Sequence, residues 1–260
     1  MKNIVIIGSG NVAEALATAL TAKGAAPVQI FARNAEQGAE IARWCGCGWT
    51  DDPAQLAPAD LYIISVTDRM IKQVAAGLEF GNAVVAHTAA SVPVDIFPAK
   101  IRNRAVLYPL QSFTKGRSID FSQVPILIEG NNPVSLECVR ETAKAISERV
   151  VEMDSEKRAM VHVAAVFAGN FSNHMYTISE ELINGAGFDF SLLKPLITEC
   201  AAKAVESRSP ITSQTGPAVR NDFLTKSRHC ELLSQKYDLM NIYISISKNI
   251  WETSKKRSPK

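Results

Sequence analysis

A chain of 260 residues with 28 Lys and Arg against 26 Asp and Glu carries a net charge of only +2. That is too near balance, and too evenly spread, for a nucleic-acid or membrane partner to be expected. The length is enough for a full nucleotide-binding sheet and a second hydrophobic core, and no apolar run approaches a membrane span. Five cysteines, at 45, 47, 138, 200 and 230, are scattered, and Cys45-Gly46-Cys47 is a lone C-x-C. With no second ligand pair they predict free thiols in a reducing cytoplasm and no metal site. The opening apolar stretch is too short for the core of a signal peptide.

That opening stretch carries the first motif. Ile4-Val5-Ile6-Ile7 is followed by Gly8, Gly10 and Ala13, the spacing G-x-G-x-x-A between a strand-like and a helix-like segment. Gly8 permits a sharp exit from the strand, Gly10 lets backbone approach a pyrophosphate, and Ala13 keeps helix and sheet close. Ala15, Leu16, Ala19 and Leu20 give the following helix an apolar face. A helix starting near Asn11 would aim its free N–H groups at the phosphates. Gly8, Ser9, Gly10, Asn11 and Val12 are therefore predicted to bind a dinucleotide.

The second strand, Pro27 to Phe31, ends in Ala32-Arg33-Asn34, and no carboxylate occurs between Gly24 and Glu36. An NAD site places an acid about 20 residues beyond the glycines to accept from the ribose hydroxyls, whereas a 2′-phosphate needs a cation there. Arg33 stands at that place, with Asn34 beside it as a further donor, so NADP is the expected cofactor. The plainer reading of Arg33 is a solvated side chain after a strand.

Further strands are predicted at Leu61–Ser65, Ala83–His87, Ala105–Tyr108, Pro125–Glu129 and Val150–Met153. Helices are predicted at Ala35–Cys45, Arg69–Ala76 and Pro133–Ser147. This alternation predicts an α/β fold, a Rossmann-type parallel sheet over residues 1–153. Beyond Met153 no strand pattern recurs, and residues 154–260 are expected to form an all-α domain. Ser155 is the expected cap of a single helix reaching about Asn184, roughly 45 Å long, which Gly185-Ala186-Gly187 ends. A second helix is expected from Phe190 to Arg208, closed by Pro210. A third is expected from near Ser227 to Thr253, with Leu233, Tyr237, Met240 and Ile244 as one apolar stripe. Lys255-Lys256-Arg257 reads as a solvated tail.

Ligands of an open parallel sheet bind beyond the carboxyl ends of its strands. Those ends carry Val66-Thr67-Asp68, His87-Thr88-Ala89-Ala90-Ser91 and Tyr108-Pro109-Leu110-Gln111-Ser112-Phe113. Ser65, Val66 and Thr67 are predicted along the cofactor, and Gln111 and Ser112 facing a substrate.

The glycine motif, Arg33, His-Thr-Ala-Ala-Ser, Pro-Leu-Gln-Ser-Phe and Thr215-Gly216-Pro217-Ala218-Val219-Arg220-Asn221-Asp222 together resemble one bacterial family. Its members join a Rossmann-like domain to a helical domain of unknown function and are usually described as NADP oxidoreductases. The chain is similar, more distantly, to pyrroline-5-carboxylate reductase, deazaflavin-dependent NADP reductases and the 6-phosphogluconate dehydrogenase superfamily. The resemblance spans nearly the whole chain and implies a helical domain that commonly builds a homodimer. It implies no particular substrate.

The β-hydroxyacid dehydrogenase branch of that superfamily uses a Lys followed four residues later by Asn. Here His162 stands where a Lys would, and Val166 is four residues on. Asn170 comes roughly 12 Å further along the axis, beyond hydrogen-bond reach of His162. His162, which titrates near neutrality, is a candidate proton donor, or else a histidine bonded to backbone of the first domain. Asn170, beside Gly169, is a candidate contact to nicotinamide or substrate. Thr215-Gly216-Pro217 reads as a helix start, where Arg220 would hold a substrate carboxylate or phosphate, or pair with Asp222. Two functions follow: an NADP(H)-dependent oxidoreductase acting on a small carbonyl or imine metabolite, and a non-catalytic NADP(H)-binding redox sensor, favoured by the missing Lys.

Overall fold

A computed structural model describes residues 2–117 and 119–255, so Lys256 and Arg257 of the basic cluster lie outside the described residues. The chain divides into two compact units, residues 1–170 and 171–260.

In the first unit, β1 (Ile4–Ile7), α1 (Asn11–Ala22), β2 (Gln29–Phe31), α2 (Ala35–Cys45) and β3 (Gly48–Thr50) come first. They are followed by β4 (Leu61–Ile64), α3 (Ile71–Gly77), β5 (Val84–His87), β6 (Asn103–Pro109), β7 (Ile126–Gly130), α4 (Pro133–Ile146), β8 (Val150–Glu152) and α5 (Ser155–Ala165). The strands form one eight-stranded sheet in the order β3-β2-β1-β4-β5-β6-β7-β8. Every residue of β1, β4 and β5 is buried, as strands covered on both faces must be. Ile4 and Ile6 enter the core beneath α1, α2 and α4, while Val5 and Ile7 pack with Tyr62, Ile71 and Phe97 on the other face.

The sheet departs from the expected parallel order at one place: β7 runs antiparallel to β6. Among the described residues the connection between them holds the short turn Phe121–Gln123 and no crossover helix, the element that usually returns a chain to a parallel neighbour. β3 is absent from the sequence pattern because it is three residues at the sheet edge with an exposed glycine. Successive strands step away from β1 in both directions, so the topological switch lies between the ends of β1 and β4.

The single long helix expected from Ser155 is α5, a π-helical turn (Val166–Phe171) and α6 (Ser172–Gly185) in succession. Its cap is Asp154, which accepts from the Lys157 N–H at 2.8 Å, and not Ser155. The Ser155 hydroxyl instead donates to Glu129 at 2.8 Å, because it faces the sheet.

The second unit continues with α7 (Lys194–Glu206), α8 (Pro210–Ser213), α9 (Pro217–Arg220), α10 (Phe223–Leu232) and α11 (Tyr237–Lys255). The expected third helix is thus two helices. The Leu233 N–H turns back to the carbonyls of His229 and Cys230, closing α10, and an apolar stripe cannot register such a turn. Among the described residues of this unit only Ala218 is buried. Leu196, Phe223, Leu224 and Val205 are 59%, 74%, 81% and 85% exposed.

Candidate cofactor cleft and reacting end

Gly8 ends β1 at a φ of +129°, and a Cβ on it would lie 2.0 Å from the Ser65 carbonyl oxygen. Only glycine permits both this turn and this approach of β1 to the end of β4. Gly10 precedes α1 without a side-chain cap, which leaves the first N–H groups of that helix without acceptors and its positive end open. A Cβ on Gly10 would meet no protein atom within 4 Å.

Between these elements lies a cleft of about 580 Å³. It brings together Gly8, Ser9, Gly10, Asn11 and Val12 with Arg33, Asn34, Ser65, Val66 and Thr67. Arg33 is exposed and has no carboxylate partner among the described residues. Asn34 caps α2 by accepting from the Gln37 N–H at 3.1 Å, which leaves its amide N–H groups to donate. Asn11 lines the cleft and also ties two of its walls together. Its side chain donates to the Phe113 carbonyl at 3.0 Å and holds the loop after β6 against α1. Ser65 is buried and accepts from the Thr88 hydroxyl at 3.2 Å. An open pyrophosphate space before an uncapped helix, with an unpaired arginine at the end of β2, fits NADP.

Asp68, Thr88, Ala89 and Phe113, all at the strand ends singled out in the sequence, also line the cleft, and Met70 and Val74 after β4 join them. Gln111 lines it, whereas Ser112 does not, its backbone N–H being taken by the Gln111 side chain at 2.9 Å.

A second feature of the first unit is the pair Tyr108 and His162. The Tyr108 hydroxyl lies 3.2 Å from His162 Nδ1, with the rings edge to face. Burial raises the Tyr108 pKa, and the negative charge of Asp68, itself a cleft residue, raises it further. In the sequence Tyr108 stands out only as a strand end. Its one signal was a polar group at the carboxyl edge, and nothing in the sequence joins it to a residue on α5.

Asn170 is exposed in the π-helical turn, and Gly169 beside it faces open space. Arg220 belongs to the second unit, ends α9 and is exposed, and its charge contributes to lowering the pKa of Asp222, which is held mainly by its bonds to Thr225. Asn221 follows in the left-handed region at φ 52°. No helix among the described residues is long and apolar enough to cross a membrane.

Comparison with known proteins places two family models on the chain. Residues 3–90 match the family model described as NADP oxidoreductase, coenzyme F420-dependent, and residues 124–250 match a domain of unknown function, DUF2520. A provisionally named NADP oxidoreductase from Bacteroides fragilis is 36% identical, with 96% of this chain and 98% of that one covered and a TM-score of 0.87. A pyrroline-5-carboxylate reductase from Coxiella burnetii shares the fold at 18% identity, 100% and 99% coverage and a TM-score of 0.55. So does a reductive aminase from Aspergillus terreus in complex with NADPH, at 13% identity, 98% and 94% coverage and a TM-score of 0.73. No curated protein matches the chain in sequence.

Proposed function

Because this chain belongs to the family of the Bacteroides fragilis NADP oxidoreductase and takes NADP as its cofactor, we propose that it transfers a hydride between NADP(H) and a small carbonyl or imine compound. The observation that carries this reading is the Tyr108–His162 pair at the carboxyl end of β6, with Asp68 of the cleft close enough to influence Tyr108.

When bound, NADPH supplies the hydride, two electrons and a hydrogen, to the electrophilic carbon. The chain's task is to hold the substrate there and to supply a proton to the oxygen or nitrogen as its double bond to carbon is reduced. His162 is the residue we assign to that task. Its Nδ1 is engaged by Tyr108, so Nε2 is the nitrogen left for a substrate. The proton leaves Nε2 of the imidazolium, and solvent restores it after product departs. Thr88 and Gln111 are assigned as hydrogen-bonding walls, and Asn170 as a further contact. Arg33, Asn34 and the N–H groups at the start of α1 hold the phosphates.

We propose further that two copies of the chain pair through the helical unit. Ala218 is its one buried described residue, while large apolar side chains on α7 and α10 stand open to solvent.

The test is a metabolite screen that follows NADPH absorbance, preceded by thermal-shift titrations with NADPH. The expected result is stabilisation by NADPH and oxidation of it by at least one carbonyl or amine-plus-carbonyl mixture. Binding of NADPH with no turnover across such a panel would favour the redox-sensor reading and overturn this one.

A further inference from the structure

Arg158 has no exposed surface, the most completely buried charged side chain among the described residues. It lies on α5 four positions before His162, one turn away on the same face. Its Nε donates to the Ala90 carbonyl at 3.0 Å, and Nη2 donates to the Val92 carbonyl at 2.6 Å and to Ser155 Oγ at 3.2 Å. Nη1 donates to the Glu129 carboxylate on β7. Ser155 Oγ also accepts from the Val94 N–H at 3.1 Å. One guanidinium therefore joins three things: the segment after β5, the strand β7 and the first turn of α5.

That segment is the wall of the cleft. It begins with Thr88 and Ala89, which line the cofactor space. Beneath it His87 is fully buried, and its Nδ1 accepts from the Ala89 N–H at 3.2 Å. His87 pairs with Val106, and Val106 with Glu129, so His87 and Glu129 rise from the same face of the sheet. Arg158 lies over them. An ion pair this deeply buried is a poor device for stability alone, since apolar side chains of similar volume commonly do as well. Its distinguishing property is geometric: the planar fork fixes several acceptors in one arrangement.

We propose that Arg158 is a positioning residue, which fixes His162 at a set place relative to the cleft wall formed by Thr88 and Ala89. The inference rests on the reading of His162 as the proton donor at the reacting end. It goes beyond that reading in assigning the placement of His162 to a group that touches neither cofactor nor substrate.

The experiment uses the full chain with histidine side chains isotopically labelled, and NADPH as the probe. The His162 resonance is identified by its loss in His162→Gln. In the wild type, adding NADPH shifts that resonance. In the double variant Arg158→Met, Glu129→Leu, which replaces the ion pair by apolar groups, NADPH binds with unchanged affinity and the His162 shift is lost. Arg158→Lys keeps the charge beside Glu129 but cannot span the carbonyls of Ala90 and Val92 together with Glu129, so it does not restore the shift. It carries the comparison alone if the double variant fails to fold. An undiminished His162 shift in Arg158→Lys, or in a folded double variant, overturns the inference. A wild-type His162 resonance indifferent to NADPH overturns the reading of the reacting end, and this inference with it.

Discussion

The Tyr108 hydroxyl and Nδ1 of His162 stand 3.2 Å apart, joining the carboxyl end of β6 to α5 across 54 residues of sequence. Burial and the Asp68 charge both oppose ionisation of the phenol, so it stays a donor near neutral pH. It therefore donates to Nδ1 of an imidazole that carries its proton on Nε2, and accepts from Nδ1–H in the other neutral tautomer or when the imidazole is charged. Either way the ring is held in one orientation, and proton exchange is left to Nε2.

His162→Gln removes the imidazole, the group of this pair assigned as proton donor. With the physiological substrate, turnover is expected to fall by about 10²-fold or more while NADPH affinity is nearly unchanged. Tyr108→Phe keeps the ring and loses the hydroxyl, so a smaller loss in kcat is expected. Steady-state kinetics with NADPH titrated separately checks both, and full turnover in His162→Gln would assign the proton to water or another residue.

The two glycines of the phosphate turn should respond oppositely to alanine. At Gly8 the new methyl would fall 2.0 Å from the Ser65 carbonyl, at a φ of +129°, which is expected to cost about 3 kcal/mol or more of stability. At Gly10 the backbone is extended, with φ −79°, and the methyl meets no protein atom within 4 Å. Gly10→Ala is expected to melt near the wild type and to bind NADPH roughly tenfold more weakly, a loss of about 1.4 kcal/mol. Melting temperatures and NADPH titrations separate the two cases.

The parts of the first unit legible in the sequence are those whose signal is local. β1, Gly8 and α1 follow one another within a short stretch, and α2 has the bounds Ala35–Cys45 that its periodicity predicts. The direction of β7 was not legible, because it depends on a connection that lacks a crossover helix. Nor was the π-helical turn before α6, or the break between α10 and α11, across which the apolar phase continues. In the cleft, glycine spacing and strand ends identified the walls. Arg158 went unread because a charged residue on a helix is ordinarily solvated. Its acceptors Ala90, Val92 and Glu129 come together only when the sheet is formed.

Burial, with the Arg158 charge adding to it, lowers the His87 pKa from 6.5 to about 3. Between these values the unfolded chain binds a proton at His87 that the folded chain refuses. Stability therefore rises with pH through this window, and is lost as pH falls from 6.5 towards about 3. One proton corresponds to a slope of up to about 1.4 kcal/mol per pH unit. His87→Asn, whose side-chain oxygen can still accept from the Ala89 N–H, is expected to flatten this part of the curve. Denaturant unfolding of both proteins at several pH values is the check, and equal slopes would show that His87 is protonated in the folded chain.

The helical unit is expected to be covered by a second copy. A stable interface buries about 1,600 Å² in total, and Leu196, Val205, Phe223 and Leu224 are each more than half exposed in the single chain. Such residues scattered singly need no partner, but a helical unit with almost no buried side chain does. Light scattering at micromolar concentration should give the mass of two chains. A monomeric mass would mean that another protein, or none, covers this face.

Arg33 should decide between the two nicotinamide cofactors. It is exposed at the end of β2, within the cleft, with no carboxylate pairing it among the described residues. Asn34 next to it is fixed by its bond to the Gln37 N–H and presents its amide N–H groups. A 2′-phosphate would gain charge-assisted bonds here, whereas a 2′-hydroxyl would gain little and finds no carboxylate to accept from it. The wild type is therefore expected to bind NADPH more tightly than NADH. Arg33→Ala should narrow the difference by roughly 1.5–3 kcal/mol, the range for a lost hydrogen bond to a charged group. Because the group acts only on the 2′-phosphate, NADH affinity should change little, and raising the salt concentration should weaken NADPH more than NADH. Equal affinities of the wild type for the two cofactors would return Arg33 to the role of a solvated side chain.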